Sequence, residues 1–238
     1  MTYKRKEIIG DCTLYLGDCM EVMPLLNKAN SILTDPPYEL SSAGAGKSHF
    51  GMSLNKFDTQ GYKDIIEGVD YKRLFVEFER ICDPFHSFVF CSNKQISRLM
   101  NETEKRGFAT TLLVWHKTNA APFANGVWRG DIEYIVHSRS KGAKFIGNAM
   151  EKKKVIEHPA VIDDAHPTVK PLPIIKRLLI NCSEENDLIL DPFLGSGTTG
   201  VACAEMGRKF TGIELDEKYF DIACRRIENA YKQPDLFL

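Results

Sequence analysis

Between residues 188 and 214 a strand, a glycine turn, a helix and a second strand follow one another, and no other stretch constrains the fold as much. Leu188-Ile189-Leu190 is a short apolar run with strand character. Asp191-Pro192-Phe193-Leu194-Gly195-Ser196-Gly197-Thr198-Thr199 leaves it, a helix over Val201 to Met206 is stopped by Gly207, and Lys209 to Ile213 forms the next strand, tipped by Glu214. This is a βαβ unit, and ligands of such units bind at the carboxyl ends of the strands.

The rest of the chain repeats the alternation. Strands are expected at 12–16, 31–34, 87–91, 110–116 and 133–137, with helices at about 23–26, at 71–82, after 93 and up to Gly107, after Pro171, and from 217 to 231. Leu74, Phe75, Phe78 and Ile81 recur at helical spacing, and Ser92 or Asn93 is placed to cap the helix that buries Ile96, Leu99 and Met100. Strands alternating with helices predict an α/β fold with a doubly wound, mostly parallel sheet, here of seven strands. At 238 residues and 43% hydrophobic content the chain forms one domain with one sizeable core. Two segments break the pattern. Residues 39–62 are small, polar and aperiodic and read as a mobile loop beside a site. Their Gly-Ala-Gly-Lys-Ser is no phosphate loop, because Ser41 stands where the first glycine belongs. Residues 138–165 hold Arg139, Lys141, Lys144, Lys152, Lys153 and Lys154 against few acids. If the protein touches nucleic acid, phosphate contacts are expected there.

Thirty-one basic residues against 32 acidic ones leave no global field to attract nucleic acid, so any such contact needs a local patch. The seven cysteines are scattered and form no Cys-x-x-Cys pair, which fits reduced thiols in the cytoplasm better than a disulfide scaffold, and no metal site is expected. No stretch approaches the roughly 18 apolar residues of a membrane span.

Two groups of residues carry chemistry. Thr34-Asp35-Pro36-Pro37-Tyr38 follows the apolar run Ser31-Ile32-Leu33. Asp35 offers a carboxylate, Pro36 a backbone carbonyl on a stiff stem and Tyr38 an aromatic plate, a set suited to holding a flat amine. In the βαβ unit Glu214 lies 23 positions after Asp191, near the spacing of about 20 that puts a carboxylate on ribose hydroxyls. Gly195 and Gly197 let backbone approach a ligand, and the helix opened by Gly197 favours a ligand carboxylate. The loop is read as a two-glycine turn short of the dinucleotide fingerprint, which favours S-adenosylmethionine over a nicotinamide cofactor, with Asp191 serving the ammonium.

Asp-Pro-Pro-Tyr after a strand, His166-Pro167-Thr168-Val169-Lys170-Pro171 before a helix, and Asp-Pro-Phe-x-Gly-Ser-Gly-Thr-Thr near the end together resemble the amino-methyltransferases of DNA, in their circularly permuted β-group motif order. The resemblance runs from about Leu14 to Tyr231. It implies a Rossmann-like methyltransferase sheet and a site-specific enzyme that uses S-adenosylmethionine on a base flipped out of double-stranded DNA. Asp35, Pro36, Pro37 and Tyr38 would be catalytic. Phe193, Gly195 and Gly197, with Ser196, Thr198 and Asp35, would line the cofactor site, Glu214 would hold the ribose, Asp18 and Cys19 would lie near the adenine, and Thr168 and Lys170 near the methionine end. Asp18 is equally suited to capping the next helix. Residues 138–165 would be a short target-recognition insertion. Adenine N6 is preferred to cytosine N4 because family members acting on cytosine more often carry Ser at the place of Asp35. The group resemblance also implies a homodimer, and the tail Gln233-Pro234-Asp235-Leu236-Phe237 resembles peptides that dock on the bacterial sliding clamp through Gln233, Leu236 and Phe237. A nicotinamide oxidoreductase, an inactive methyltransferase-like DNA-binding protein and a protein-amide methyltransferase are the other readings. The intact Asp35 and Glu214 argue against an inactive protein, and Asp rather than Asn before Pro36 argues against the amide enzymes.

Overall fold

Every residue of His86–Cys91 is buried, and this strand lies deep in a nine-stranded sheet. The computed structural model describes residues 2–37, 69–121, 128–161 and 169–232. Tyr38, the 39–62 loop, His166, Thr168 and the tail residues Gln233, Leu236 and Phe237 lie outside these. In chain order the strands are β1 (Arg5–Ile9), β2 (Cys12–Leu16), β3 (Ser31–Thr34), β4 (His86–Cys91), β5 (Ala109–His116), β6 (Ile132–Arg139), β7 (Val155–Glu157), β8 (Leu188–Asp191) and β9 (Lys209–Glu214). The helices are α1 (Cys19–Val22), which runs on into a 3-10 turn at Met23–Leu25, then α2 (Tyr71–Ile81), α3 (Ile96–Lys105), α4 (Leu172–Cys182), α5 (Thr198–Glu205) and α6 (Glu217–Lys232).

The sheet order is β1-β2-β9-β8-β3-β4-β6-β5-β7. From β2 to β4 all neighbours are parallel, so the carboxyl ends of β2, β9, β8, β3 and β4 share one edge. The strands β6 and β5 join antiparallel. All seven expected strands are present, and two more flank them among the described residues. The edge strand β1 alternates half-buried and exposed positions and carries Arg5, Lys6 and Glu7, a composition that hides strand character. The other, β7, is three residues long and borders the lysine run, too short for a period to register.

Period-two alternation splits each inner strand between two cores. Leu33, Phe88, Phe90 and Ile189 face Ile174, Ile175, Leu178 and Leu179 of α4, Val201 and Ala202 of α5, and Phe220 and Ile227 of α6. Ile32, Val89, Cys91 and Leu190 face Val22 of α1, Leu74, Phe75, Phe78 and Ile81 of α2, and Leu99 of α3. Helices therefore cover both faces, and the sheet is doubly wound as expected. The helix α2 starts where Asp70 accepts a hydrogen bond from the Arg73 N–H at 3.2 Å. The start of α3 differs from expectation: its N-cap is Gln95, whose buried Oε1 accepts from the N–H and hydroxyl of Ser92, each at 2.9 Å.

Candidate functional site

The shared carboxyl edge opens into a cavity of about 1260 Å³, lined by residues from the ends of β2, β3, β4, β8 and β9 and from the start of β6. Parallel strands deliver their last residues to one edge, and the loops that leave them diverge, so a crevice there is a topological consequence.

The glycine loop forms one wall. Gly197 sits at φ 81° and is the N-cap of α5, where a Cβ would come within 2.8 Å of Ala223, so only glycine fits. Gly200 completes a Gly-x-Gly-x-x-Gly spacing, contrary to the two-glycine reading; a Cβ there would meet Ile227 and Phe210, which is the close helix-to-sheet packing a third glycine permits. The spacing therefore does not separate the two cofactor classes. Arg226 of α6 donates to the Ser196 carbonyl at 2.6 Å and to its hydroxyl at 2.7 Å, and to the Thr198 hydroxyl at 3.2 Å, bracing the loop from behind.

Glu214 is fixed from both sides. One carboxylate oxygen accepts from the Gly195 N–H at 2.7 Å and the other from the Asp216 N–H at 2.9 Å. Burial pushes this carboxyl up to about 7, opposed by those two N–H groups. Asp18 caps α1 by accepting from the Met20 N–H at 2.7 Å, and it also lines the cavity beside Cys19. Burial, aided by the Asp18 charge, pushes the Cys19 thiol up to about 12, so it is no nucleophile at neutral pH. Phe193, Gly195, Ser196 and Thr198 also line the cavity.

Asp191, expected to face an ammonium, turns its oxygens inward. It is 3% exposed; Oδ1 accepts from the Thr34 hydroxyl at 2.7 Å and the Phe193 N–H at 3.1 Å, and Oδ2 from the Thr199 hydroxyl at 2.8 Å. Burial raises it to about 6 against those bonds. It ties β3, β8 and α5 together at the floor of the cavity.

Asp35 faces the cavity, with Pro36 and Pro37 beside it. The Pro37 carbonyl accepts from Gln95 Nε2 at 3.1 Å, and the same amide donates to the Tyr71 hydroxyl at 2.7 Å, so a buried glutamine fixes the loop leaving β3. Lys170 pairs with Asp35, its ammonium 2.6 Å from Oδ2 and 3.3 Å from Glu133 Oε2. Lys117 reaches the other oxygen of Glu133 at 2.7 Å. Gln95, Arg226, Glu133 and Lys117 were not among the expected site residues. A glutamate inside a strand and an arginine inside an amphipathic helix carry no local signal.

The basic segment lies elsewhere for most of its described length. Arg139 closes β6 opposite His86, at the amino end of β4, and Lys144 pairs with Glu184 and Asp187, which precede β8. Arg139 and Lys152 lie over the ring of Phe145. Only Ala160 and Val161 of the described part of 138–165 line the cavity. No group of three or more metal-ligating side chains occurs among the described residues, and no helix there is long and apolar enough to cross a membrane.

A doubly wound sheet with a glycine loop, a pinned acidic residue after the next strand and an Asp-Pro-Pro turn on a neighbouring strand defines a Rossmann-like enzyme with a nucleoside-type cofactor pocket. Residues 29–225 match the DNA methylase family, and the chain belongs to it. The Type II methyltransferase M2.LlaDCHI of Lactococcus lactis subsp. cremoris is 30% identical over 220 residues, which span 84% of this chain and 82% of that protein. The crystal structure of M1.HpyAVI in complex with SAM is 26% identical with a TM-score of 0.69, covering 91% of this chain and 98% of that one. The PvuII cytosine-N4-specific DNA methyltransferase, at 16% identity and a TM-score of 0.72, shares the fold over 97% of this chain and 95% of its own.

Proposed function

We propose that the protein is a DNA adenine-N6 methyltransferase that uses S-adenosylmethionine and acts on a flipped base at a specific site. The observation that carries this reading is the position of Asp35, a carboxylate at the end of β3 that opens into the same cavity as the glycine loop and Glu214. The cavity fits the cofactor in its donor set: a doubly held carboxylate at Glu214 suits ribose hydroxyls, the Phe193 ring and the Asp18–Cys19 turn suit an adenine, and the backbone of Gly195, Ser196, Gly197 and Thr198 at the start of α5 suits a carboxylate. When bound, S-adenosylmethionine supplies an electrophilic methyl group. Asp191 acts indirectly, by holding the Thr34 and Thr199 ends of the two loops in register.

An exocyclic base amine is a weak nucleophile because its lone pair is spread into the ring. Asp35 and the Pro36 carbonyl accept its two hydrogens, which localises the lone pair and aims it. The gain comes from orientation and from acceptors already in place, and strong basicity is not asked of Asp35. A paired base cannot reach such a crevice, so the base is extruded at a cost of a few kcal/mol, offset in part by stacking on Tyr38. The reading extends to DNA contacts at the cavity-side end of the 138–165 segment, to a homodimer, and to a clamp contact through Gln233, Leu236 and Phe237; loss of clamp binding on deleting residues 233–238 is the expected result for the last.

Adenine is favoured by Asp35 at the first motif position. The test is direct: duplex DNA incubated with the protein and labelled cofactor is digested to nucleosides. N6-methyladenine is expected; N4-methylcytosine alone overturns the base assignment, and no label in DNA overturns the reaction.

A further inference from the structure

We infer that Lys170 is a positioning residue for Asp35, held in place by Glu133 and Lys117, so that these four side chains form a row of alternating charge along the base side of the cavity. The inference rests on the methyltransferase reading and deepens it, because it reassigns Lys170 from the cofactor's methionine end to the aspartate of the reacting edge.

The geometry is specific. Lys170 precedes α4, Asp35 follows β3, Glu133 lies in β6 and Lys117 follows β5, so four separate elements converge. The Lys170 ammonium spans Asp35 Oδ2 and Glu133 Oε2 at 2.6 and 3.3 Å, and its side chain is 10% exposed. Glu133 uses its second oxygen for Lys117 at 2.7 Å, and all four residues line the cavity. Each ammonium also lies over an aromatic ring: that of Lys170 is 5.4 Å from the centroid of the Phe90 ring and that of Lys117 5.2 Å from that of Trp115. A charge buried this deeply persists only when paired. Here the charges alternate: the central ammonium has a carboxylate on each side and Glu133 has an ammonium on each side.

The functional consequence follows from the shape of a carboxylate. An ammonium fixed on Oδ2 sets the rotation of the Asp35 side chain, and with it the direction from which Asp35 can accept a hydrogen from an amine. A lysine held by Asp35 alone would be free to swing towards solvent; Glu133 removes that freedom, and Lys117 does the same for Glu133.

The test uses full-length Lys170→Met, Lys170→Arg, Glu133→Gln and the double variant Glu133→Gln/Lys170→Met, with methyl transfer to duplex DNA and S-adenosylmethionine affinity measured separately. For Lys170→Met, kcat is expected to fall about 100-fold, the scale set by a misplacement of about 1 Å, with the cofactor Kd within about 3-fold of wild type. Lys170→Arg is expected to recover part of the loss, and the double variant to be no worse than Lys170→Met alone, since the two residues act in series. A cofactor Kd weakened with kcat intact makes Lys170 a cofactor ligand and overturns the inference, as does an unchanged kcat. If Lys170→Met does not fold, Lys170→Arg and Glu133→Gln decide: wild-type kcat in both overturns it. Wild-type protein that transfers no methyl group overturns the methyltransferase reading itself, whereas active wild type with indifferent variants overturns this inference alone.

Discussion

Asp35-Pro36 and Asp191-Pro192 are the same short motif written twice: a buried apolar strand, then aspartate, then proline. The two strands are neighbours and parallel, pairing Ser31 with Ile189 and Ile32 with Leu190. Continuing that register sets Asp191 level with Leu33, two residues short of Asp35. The difference in depth decides the chemistry. At the lower level Asp191 is enclosed, bonded to Thr34, Thr199 and the Phe193 N–H, and raised to about 6 by burial. At the upper level the Asp35 side chain is 28% exposed, meets Lys170 and opens on the cavity. A motif thus supplies a carboxylate, and its level on the sheet determines whether that carboxylate braces the floor or works at the rim.

Substitutions at the two positions are expected to separate along that line. The largest effect is on turnover: Asp35→Asn is expected to lower kcat on the order of 10³-fold, the scale of losing a preorganised transition-state contact, while cofactor affinity stays within about 3-fold. Asp191→Ala is expected to cost stability instead, about 2–4 kcal/mol, because two hydroxyls and an N–H lose their buried acceptor. Urea unfolding measures it as a lower midpoint at unchanged slope. If Asp191→Ala keeps its stability and loses only cofactor binding, the comparison fails and Asp191 is a ligand after all.

The pH dependence sharpens the same contrast through Glu214. Its folded value of about 7 lies above the ordinary 4.5, and that of Asp191, about 6, above 3.8. Between the unfolded and folded values the native state holds more protons than the unfolded one, so these two groups make stability fall as pH rises from about 4 to about 7. His86 and His137, buried at 2.9 Å from each other and lowered to about 3 and about 4, act oppositely: their contribution is present at neutral pH and is lost as pH falls below 6.5. Glu214→Gln is expected to remove the Glu214 share of this slope, and to leave that of Asp191, in unfolding measurements across pH 4 to 8. In the wild type, S-adenosylmethionine affinity is expected to rise with pH through about 7 as Glu214 ionises, and in Glu214→Gln to be flat; calorimetric titration at several pH values reads both. The smallest effect is expected of Thr34→Val, about 1 kcal/mol for one hydrogen bond to Asp191.

Much of this was legible in the sequence. Seven strands, the two-faced helix cover and both Asp-Pro turns followed from periodicity and punctuation, because each is a local property of the chain. What was not legible depends on contacts between distant residues. Glu133 reads as one more strand position until β6 is seen to set it beside Lys170, and Arg226 reads as a solvent-facing helix residue until α6 carries it to Ser196 and Thr198. Composition marked 138–165 as basic but carried no information on location: Lys144 is paired across to Glu184 and Asp187, at the end of the sheet away from the cavity. The edge strand β1 was hidden by its charges, and the inward turn of Asp191 by its likeness to Asp35.

A matched pair of isosteric variants tests the division between rim and floor most directly. Single-turnover transfer of labelled methyl groups to duplex DNA is measured for Asp35→Asn and Asp191→Asn at saturating cofactor, at a temperature where both are folded. The account predicts that transfer falls on the order of 10³-fold in Asp35→Asn and persists within about 10-fold of wild type in Asp191→Asn, the range left to a residue acting through others. Transfer in Asp35→Asn within about 10-fold of wild type, or an equal loss in both variants, would contradict it.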